Sequence, residues 1–199
     1  MTVQITWEER YRKGETGWDR GLPSPATETW TEHWGCKPCR LLVPGCGFGH
    51  EVIAFAQQGF DVTAVDIAPS AIHHLETELR DANLAVEPVC TDLFDFEPDA
   101  LFDAIYEQTC MCALPPERRV EYVERLYCWL KPGGRLLAMF MQTGKEGGPP
   151  YHCDILDMHR LFPADLWRWQ EDAPALIPHN NGLFELAYQI IREPAPATA

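Results

Sequence analysis

Three glycines fall within five positions in VPGCGFGHE, Val43 to Glu51, between the apolar run RLLV and the helix-like EVIAFAQQ. Glycine has no Cβ and reaches positive φ without penalty, so a turn of this kind lets backbone approach a ligand at the start of a helix. The spacing excludes two common guests. A dinucleotide fingerprint counted from Gly45 needs a glycine where this chain has His50, and Gly49 falls one residue early. A triphosphate loop ends in Gly-Lys followed by Ser or Thr, and the stretch has no such ending. A diphosphate is therefore not the favoured ligand.

From Arg40 onward the chain alternates short β-rich runs with helical segments. RLLV reads as a strand, HEVIAFAQQ as a helix, DVTAVD as a strand, PSAIHHLETELRDA as a helix with Pro69 in its first turn, and VEPVC as a third strand. LFDAIYE is a fourth strand, PPERRVEYVERLYCWL a long amphipathic helix, KPGG a stop signal, and RLLAMFM a fifth strand. Such alternation predicts a parallel sheet with helices on both faces and ligands at the carboxyl ends of the strands. In the tail, CDILDMHRLF reads as a helix, and LWRWQED and FELAYQIIR as strands joined through HNNG. That edge hairpin would leave the last strand antiparallel to its neighbour. The expectation is one domain, with an N-terminal cap over residues 1–39, a sheet core over 40–192 and a frayed tail over 193–199. The cap carries Trp7, Trp18, Trp30 and Trp34, four of the seven tryptophans.

A formal charge of −14 opposes a nucleic-acid partner, which calls for clustered Lys and Arg. The longest apolar runs are too short to span a bilayer, and the opening MTVQITWEERYRK lacks a secretory layout, so the expected location is the cytoplasm. Eight cysteines are scattered, several inside apolar segments where a reduced thiol acts as a small hydrophobe. Cys36 and Cys39 have metal or redox spacing, but no second such pair exists, and no metal is expected. A non-catalytic thiol or metal-binding redox module is the alternative from another functional class, and zinc stoichiometry with a thiol titration separates it from an enzyme.

The acid that ends the second strand narrows the ligand. Asp66, with Ile67 after it, stands 21 positions beyond Gly45, where a carboxylate can accept from both ribose hydroxyls of an adenosine. Its other role would be to cap the helix that starts near Pro69. The G-x-G-x-G turn of Gly45, Cys46 and Gly47 with an adenosine acid matches S-adenosylmethionine, a nucleoside cofactor without phosphates. In CTDLFDF, Asp92 can accept from an adenine amine between apolar walls of Leu93 and Phe94, or simply make an Asp turn. Glu107, at the end of the fourth strand, can offset a sulfonium charge or hold the cofactor's amino group; capping or an ion pair is the alternative. Tyr106, Cys110, Cys112, Phe140 and Tyr151 are candidate walls of an acceptor pocket, with GGPPY a rigid lid segment. His152 and His179 lie in loops and receive no role.

Together WEERYRKGETGWDRGLPSP, LVPGCGFGHEV, AVDIAPSAI, CTDLFDF, CALPPERR, LKPGG and GGPPY make the chain resemble the thiopurine methyltransferase superfamily, and within it the halide/thiol branch. The resemblance implies a class I methyltransferase: a Rossmann-like, seven-stranded, mostly parallel sheet with an antiparallel last strand and a helical cap. It also implies that Tyr11 and Trp18 pack on the cofactor. Thiopurine enzymes carry an arginine where this chain has Gln108, and plant halide/thiol enzymes a tyrosine at Phe140, which weakens the aromatic-thiol and halide readings. The expected reaction is methyl transfer to a small thiol or soft anion, with an aromatic thiol or chalcogen as the alternative acceptor. Such a displacement needs no covalent enzyme intermediate, and no base where the acceptor is already an anion. Cys110, Met111, Cys112 and Met141 beside Phe140 would favour a diffuse thiolate over a hard halide.

Overall fold

The structure, a computed structural model, describes residues 6–179 and 181–195. One sheet runs from Arg40 to Arg192. Its strands are β1 (Arg40–Pro44), β2 (Asp61–Asp66), β3 (Val89–Cys90), β4 (Phe102–Glu107), β5 (Leu130–Gln142), β6 (Trp167–Trp169), β7 (Ala175–Pro178) and β8 (Phe184–Arg192). The order is β3-β2-β1-β4-β5-β8-β6, with β7 also on β8. The first five strands pair in parallel, and β8 runs antiparallel to β5, as the sequence implies.

The helices are α1 (Trp7–Lys13), α2 (Ala26–Glu28), which continues into a π-helical turn to His33, α3 (His50–Gln57), α4 (Pro69–Asp81), α5 (Arg119–Trp129) and α6 (Ile155–Leu161). Strand residues alternate between the two faces, so Ala104 and Tyr106 pack with α3, α4 and Trp30, while Ile105 packs with α5 and α6. On α4 the apolar face is Ala71, Ile72, Leu75 and Leu79, at helical spacing and buried. Leu75 is wholly enclosed, which contributes about 1.5–3 kcal/mol for such a side chain.

Five local expectations change. Among the described residues the seven-strand count becomes eight, because the edge position beyond β8 is split: β6 pairs with Ile190–Arg192 and β7 with Phe184–Ala187 of that same strand. The break falls at Gln170–Pro174, where proline has no N–H to give a ladder. The HNNG segment therefore joins β7, not β6, to β8, closed by His179 N–H on the Leu183 carbonyl at 2.8 Å; Asn180 itself lies outside the described residues. The KPGG stretch is not a free turn but a register shift inside the β4–β5 ladder, between the Phe102–Leu130 and Ala104–Arg135 pairs. The third strand is only Val89–Cys90, and the long helix opens with a 3₁₀ turn over Pro116–Arg118. Of the tail, residues 196–199 lie outside the described residues.

All eight cysteines are free thiols. Among the described residues, no group of three or more His, Cys, Asp or Glu side chains could hold a metal ion, and no helix is long and apolar enough to cross a membrane.

Candidate active site

The glycine turn follows β1 and leads into α3, at the carboxyl end of the central strands. Gly45 and Gly47 have φ of 61° and 55°. A Cβ on Gly47 would lie 2.9 Å from the Tyr11 hydroxyl, and one on Gly45 would lie 3.1 Å from Cys110 Sγ. Gly49 serves packing instead, since a Cβ there would overlap Leu75 at 2.3 Å. The acid behind the turn is fixed: Asp66 Oδ2 accepts from Gly47 N–H and Oδ1 from Ala68 N–H, both at 2.9 Å. Burial raises its pKa, against the pull of those backbone N–H groups.

The N-terminal segment covers this turn. Tyr11 meets Trp18 and Phe48 edge to face, with ring centroids 5.6 and 5.1 Å apart. Trp18, Asp19, Arg20 and Leu22 form the roof of a cleft whose floor is Val43, Gly45–Glu51, Tyr106, Gln108 and Thr109, enclosing about 70 Å³. Asp19 pairs with His50 at 2.9 Å. Glu51, its pKa raised by burial, accepts from Ser24 N–H at 2.9 Å and so ties the cap to α3. The Arg20 guanidinium has Nε and Nη2 buried without a hydrogen-bond partner. Buried donors of this kind fit an anionic group that would complete them.

The structure thus brings Tyr11, Trp18, Gly45, Cys46, Gly47 and Tyr106 around one cleft, with Asp66 behind its floor and Cys110 against Gly45. Ile67 is half exposed beside Asp66. Asp92 makes the Asp turn, accepting from Phe94 N–H at 2.9 Å; Leu93 is buried, and the Phe94 ring lies 3.5 Å beneath the Arg118 guanidinium. Glu107 has the capping contact, accepting from Met111 N–H at 2.6 Å on the opposite face of the sheet. Cys110 and Cys112 are buried there, and burial holds both as thiols, away from the reactive thiolate. Tyr151 donates its N–H to the Cys112 carbonyl at 2.7 Å, which pins GGPPY against that loop.

Phe140 is not at the cleft. It lies wholly buried among Phe162, Trp169 and Tyr188, with ring centroids 5.7–5.9 Å away, because its position on β5 points to the α5–α6 face. Among the residues without an assigned role that surround the cleft are Arg20, Glu51 and Gln108. Arg20 sits in the WDRG block that the sequence marks only through its aromatics.

Strand order, the antiparallel last strand and the glycine turn at the carboxyl edge define a class I methyltransferase fold. A model of the thiopurine S-methyltransferase family matches residues 3–182, and the chain belongs to that family of S-adenosylmethionine-dependent methyltransferases. Probable thiol methyltransferase 2 of Arabidopsis thaliana is 33% identical over 159 residues, 78% of this chain and 70% of the relative. Thiocyanate methyltransferase 1 of the same plant is 34% identical over 181 residues, 88% and 80% of the two chains. Among solved structures, a 1,6-didemethyltoxoflavin-N1-methyltransferase from Burkholderia thailandensis, with S-adenosylhomocysteine bound, shares the fold at a TM-score of 0.75 and 21% identity, over 94% of this chain and 85% of that one.

Proposed function

We propose that the protein transfers a methyl group from S-adenosylmethionine to a small thiol or soft anion, such as hydrogen sulfide, methanethiol, iodide or thiocyanate, by in-line displacement. The carrying observation is the cap itself: Tyr11 and Trp18 close over the Gly45–Gly47 turn, with Gln108 and Thr109 at the edge of the same cleft, an arrangement that keeps water from a small reactive acceptor. The thiol and thiocyanate methyltransferase names of the relatives support the same class.

In this reading the backbone of Gly45–Gly47 receives the methionine end of the cofactor, Arg20 its carboxylate, Asp66 the ribose hydroxyls, and Asp92–Phe94 the adenine edge. The cofactor, when bound, supplies an electrophilic sulfonium methyl. The protein's part is to hold the acceptor in line and keep water from it, for which the Tyr11–Trp18 cap is placed. Eight free thiols and a charge of −14 support action on a dissolved small molecule in a reducing compartment such as the cytoplasm.

Headspace gas chromatography with S-adenosylmethionine and, in parallel, sulfide, methanethiol, iodide, thiocyanate and an aromatic thiol tests the reading. Methylated sulfide or methanethiol is the expected major product. Faster turnover of the aromatic thiol would replace this reading with the aromatic one.

A further inference from the structure

Behind the cleft wall lies a buried chain of polar contacts. Tyr106 Oη donates to Gln108 Oε1 at 2.9 Å, Gln108 Nε2 donates to Glu185 Oε2 at 3.0 Å, and His179 Nε2 stands 2.8 Å from that same oxygen. Two strands and a hairpin build it: Tyr106 is the penultimate residue of β4, Glu185 faces Met141 across the β5–β8 ladder, and His179 closes the β7–β8 turn. Glu185 is wholly buried, yet its Oε1 has no hydrogen-bond partner. Its one ion-pair contact within 4 Å among the described residues is His179.

A buried carboxylate with half its lone pairs unused is costly, and groups left so usually have a chemical task. The groups around it narrow the task. Besides Gln108 and His179, those that feel its charge are Tyr106 and Glu107 on β4, Cys112 in the following loop and Cys153 before α6, and all are acids or thiols. The nearest cationic side chains act on other members: Arg20 on Tyr106 and Arg119 on Glu107. Tyr106 also lines the cleft, and so does Gln108. Its amide orientation is set on both sides, since the Tyr106 hydroxyl meets its oxygen and the carboxylate its nitrogen.

We infer that Glu185, oriented by His179 and Gln108, takes the proton of a neutral thiol during methyl transfer. This rests on the methyltransferase reading above and narrows its acceptor to the protonated thiol. The S–H bond breaks and the proton reaches Glu185 Oε1 through one water beside Gln108. The electron pair left on sulfur forms the new bond to the methyl carbon, and the pair of the broken sulfonium bond stays with the departing thioether. Glu185 then releases the proton to solvent. Moving the proton from thiol to carboxylate leaves the buried charge unchanged, so thiolate forms without adding a second negative charge to the site. A free anion gains nothing from Glu185 and is repelled by it.

The test compares a thiol with a preformed anion. For an alkyl thiol whose own pKa is at or above about 8.5, wild-type kcat/KM is expected to change less than about threefold from about pH 7 to about pH 8.5, whereas dependence on solution thiolate would raise it severalfold or more. Glu185→Gln keeps the shape and is expected to restore that rise and to cut thiol turnover at pH 7 by at least about tenfold, leaving iodide or thiocyanate turnover equal or higher. Calorimetry on the complex with S-adenosylhomocysteine gives a readout without turnover: Glu185→Gln should bind thiocyanate about tenfold more tightly. His179→Gln should show the same trend at smaller size. A wild-type profile that climbs with thiolate overturns the inference whether or not the variants fold. Equal losses for thiol and anion in a folded Glu185→Gln overturn it too, and leave the methyltransferase reading standing. A wild type that methylates neither acceptor overturns both.

Discussion

Glu8 on the cap helix and Ser70 at the start of α4 are joined twice, the Glu8 carboxylate accepting from the Ser70 backbone N–H at 2.9 Å and from its hydroxyl at 2.7 Å. The α4 N-cap position is Ala68, which has no side chain able to cap, so a residue 62 positions upstream supplies the missing acceptor. The same carboxylate lies at the positive end of the helix dipole. Closure of the cap over the cleft is thereby tied to the helix that follows the Asp66 strand.

Glu8→Ala is accordingly expected to loosen α1 without disturbing the sheet. Hydrogen exchange should quicken over residues 7–13 and stay unchanged in β1, β2 and β4. The Ser70 hydrogen bonds lower the Glu8 pKa below its ordinary value. Docking is therefore at full strength above the pKa of the unfolded carboxyl and fades as pH falls through the lowered one. Trp18 fluorescence should report that acid loosening in the wild type, and not in Glu8→Ala. Identical exchange in both proteins would show that the aromatic contacts alone hold the cap.

Gly47→Ala joins two penalties, a side chain at φ 55° and a Cβ 2.9 Å from the Tyr11 hydroxyl. Affinity for S-adenosylhomocysteine should fall at least about tenfold by calorimetry, the equivalent of about 1.4 kcal/mol. Adding Tyr11→Ala removes the clash but not the dihedral, so only part of the loss should return. Unchanged affinity in Gly47→Ala would move the cofactor away from this turn.

Asp66→Asn is not a conservative change here. Both carboxylate oxygens accept from backbone N–H groups, and an amide must point its NH₂ at one of them. Stability should drop by about 1–3 kcal/mol, read as a lower Tm. Binding of S-adenosylhomocysteine should weaken by roughly 1.5–3 kcal/mol if the ribose also uses this acid. A lower Tm with intact affinity would confine Asp66 to holding the turn.

Much of this was legible in sequence because it is local. The β1 turn, the acid of β2 and the amphipathic pattern of α4 each lie within a window of a few turns, and the alternation of segments fixes the parallel core. The edge was less so. LWRWQED reads as the strand before HNNG because its pattern marks an edge strand, whereas the short run Ala175–Pro178, which pairs with β8 after Pro174 breaks the ladder, carries too little pattern to stand out. Placement on a face also decided Phe140: a one-residue offset along β5 sends a side chain to the opposite layer. The Gln108–Glu185–His179 chain had no sequence signal at all. Its carboxylate and amide are 77 positions apart and meet only because β8 comes back beside β5.

Glu107 gives the sharpest dependence on pH. It is buried, one oxygen accepts from Met111 N–H and the other has no partner, and no ion pair joins it to the nearby Arg119, whose own Nε and Nη2 are also unpartnered. Burial first, and then the charge of Glu185, push its pKa from the ordinary 4.5 up to about 8, against the pull of Met111 N–H and Arg119. The folded state therefore holds a proton that the unfolded chain has lost throughout this window. Because the native state binds more protons there, the contribution of Glu107 is full below the unfolded pKa and declines as pH rises toward about 8, by up to about 1.4 kcal/mol per pH unit. Glu107→Gln fills the same space, can still accept from Met111 N–H, and cannot ionise. Urea unfolding of the two proteins from pH 5 to 9 should show the variant gaining steadily on the wild type, then a constant difference above about pH 8. Parallel stability curves across that range would mean that Glu107 is charged in the fold, held by Arg119 after all.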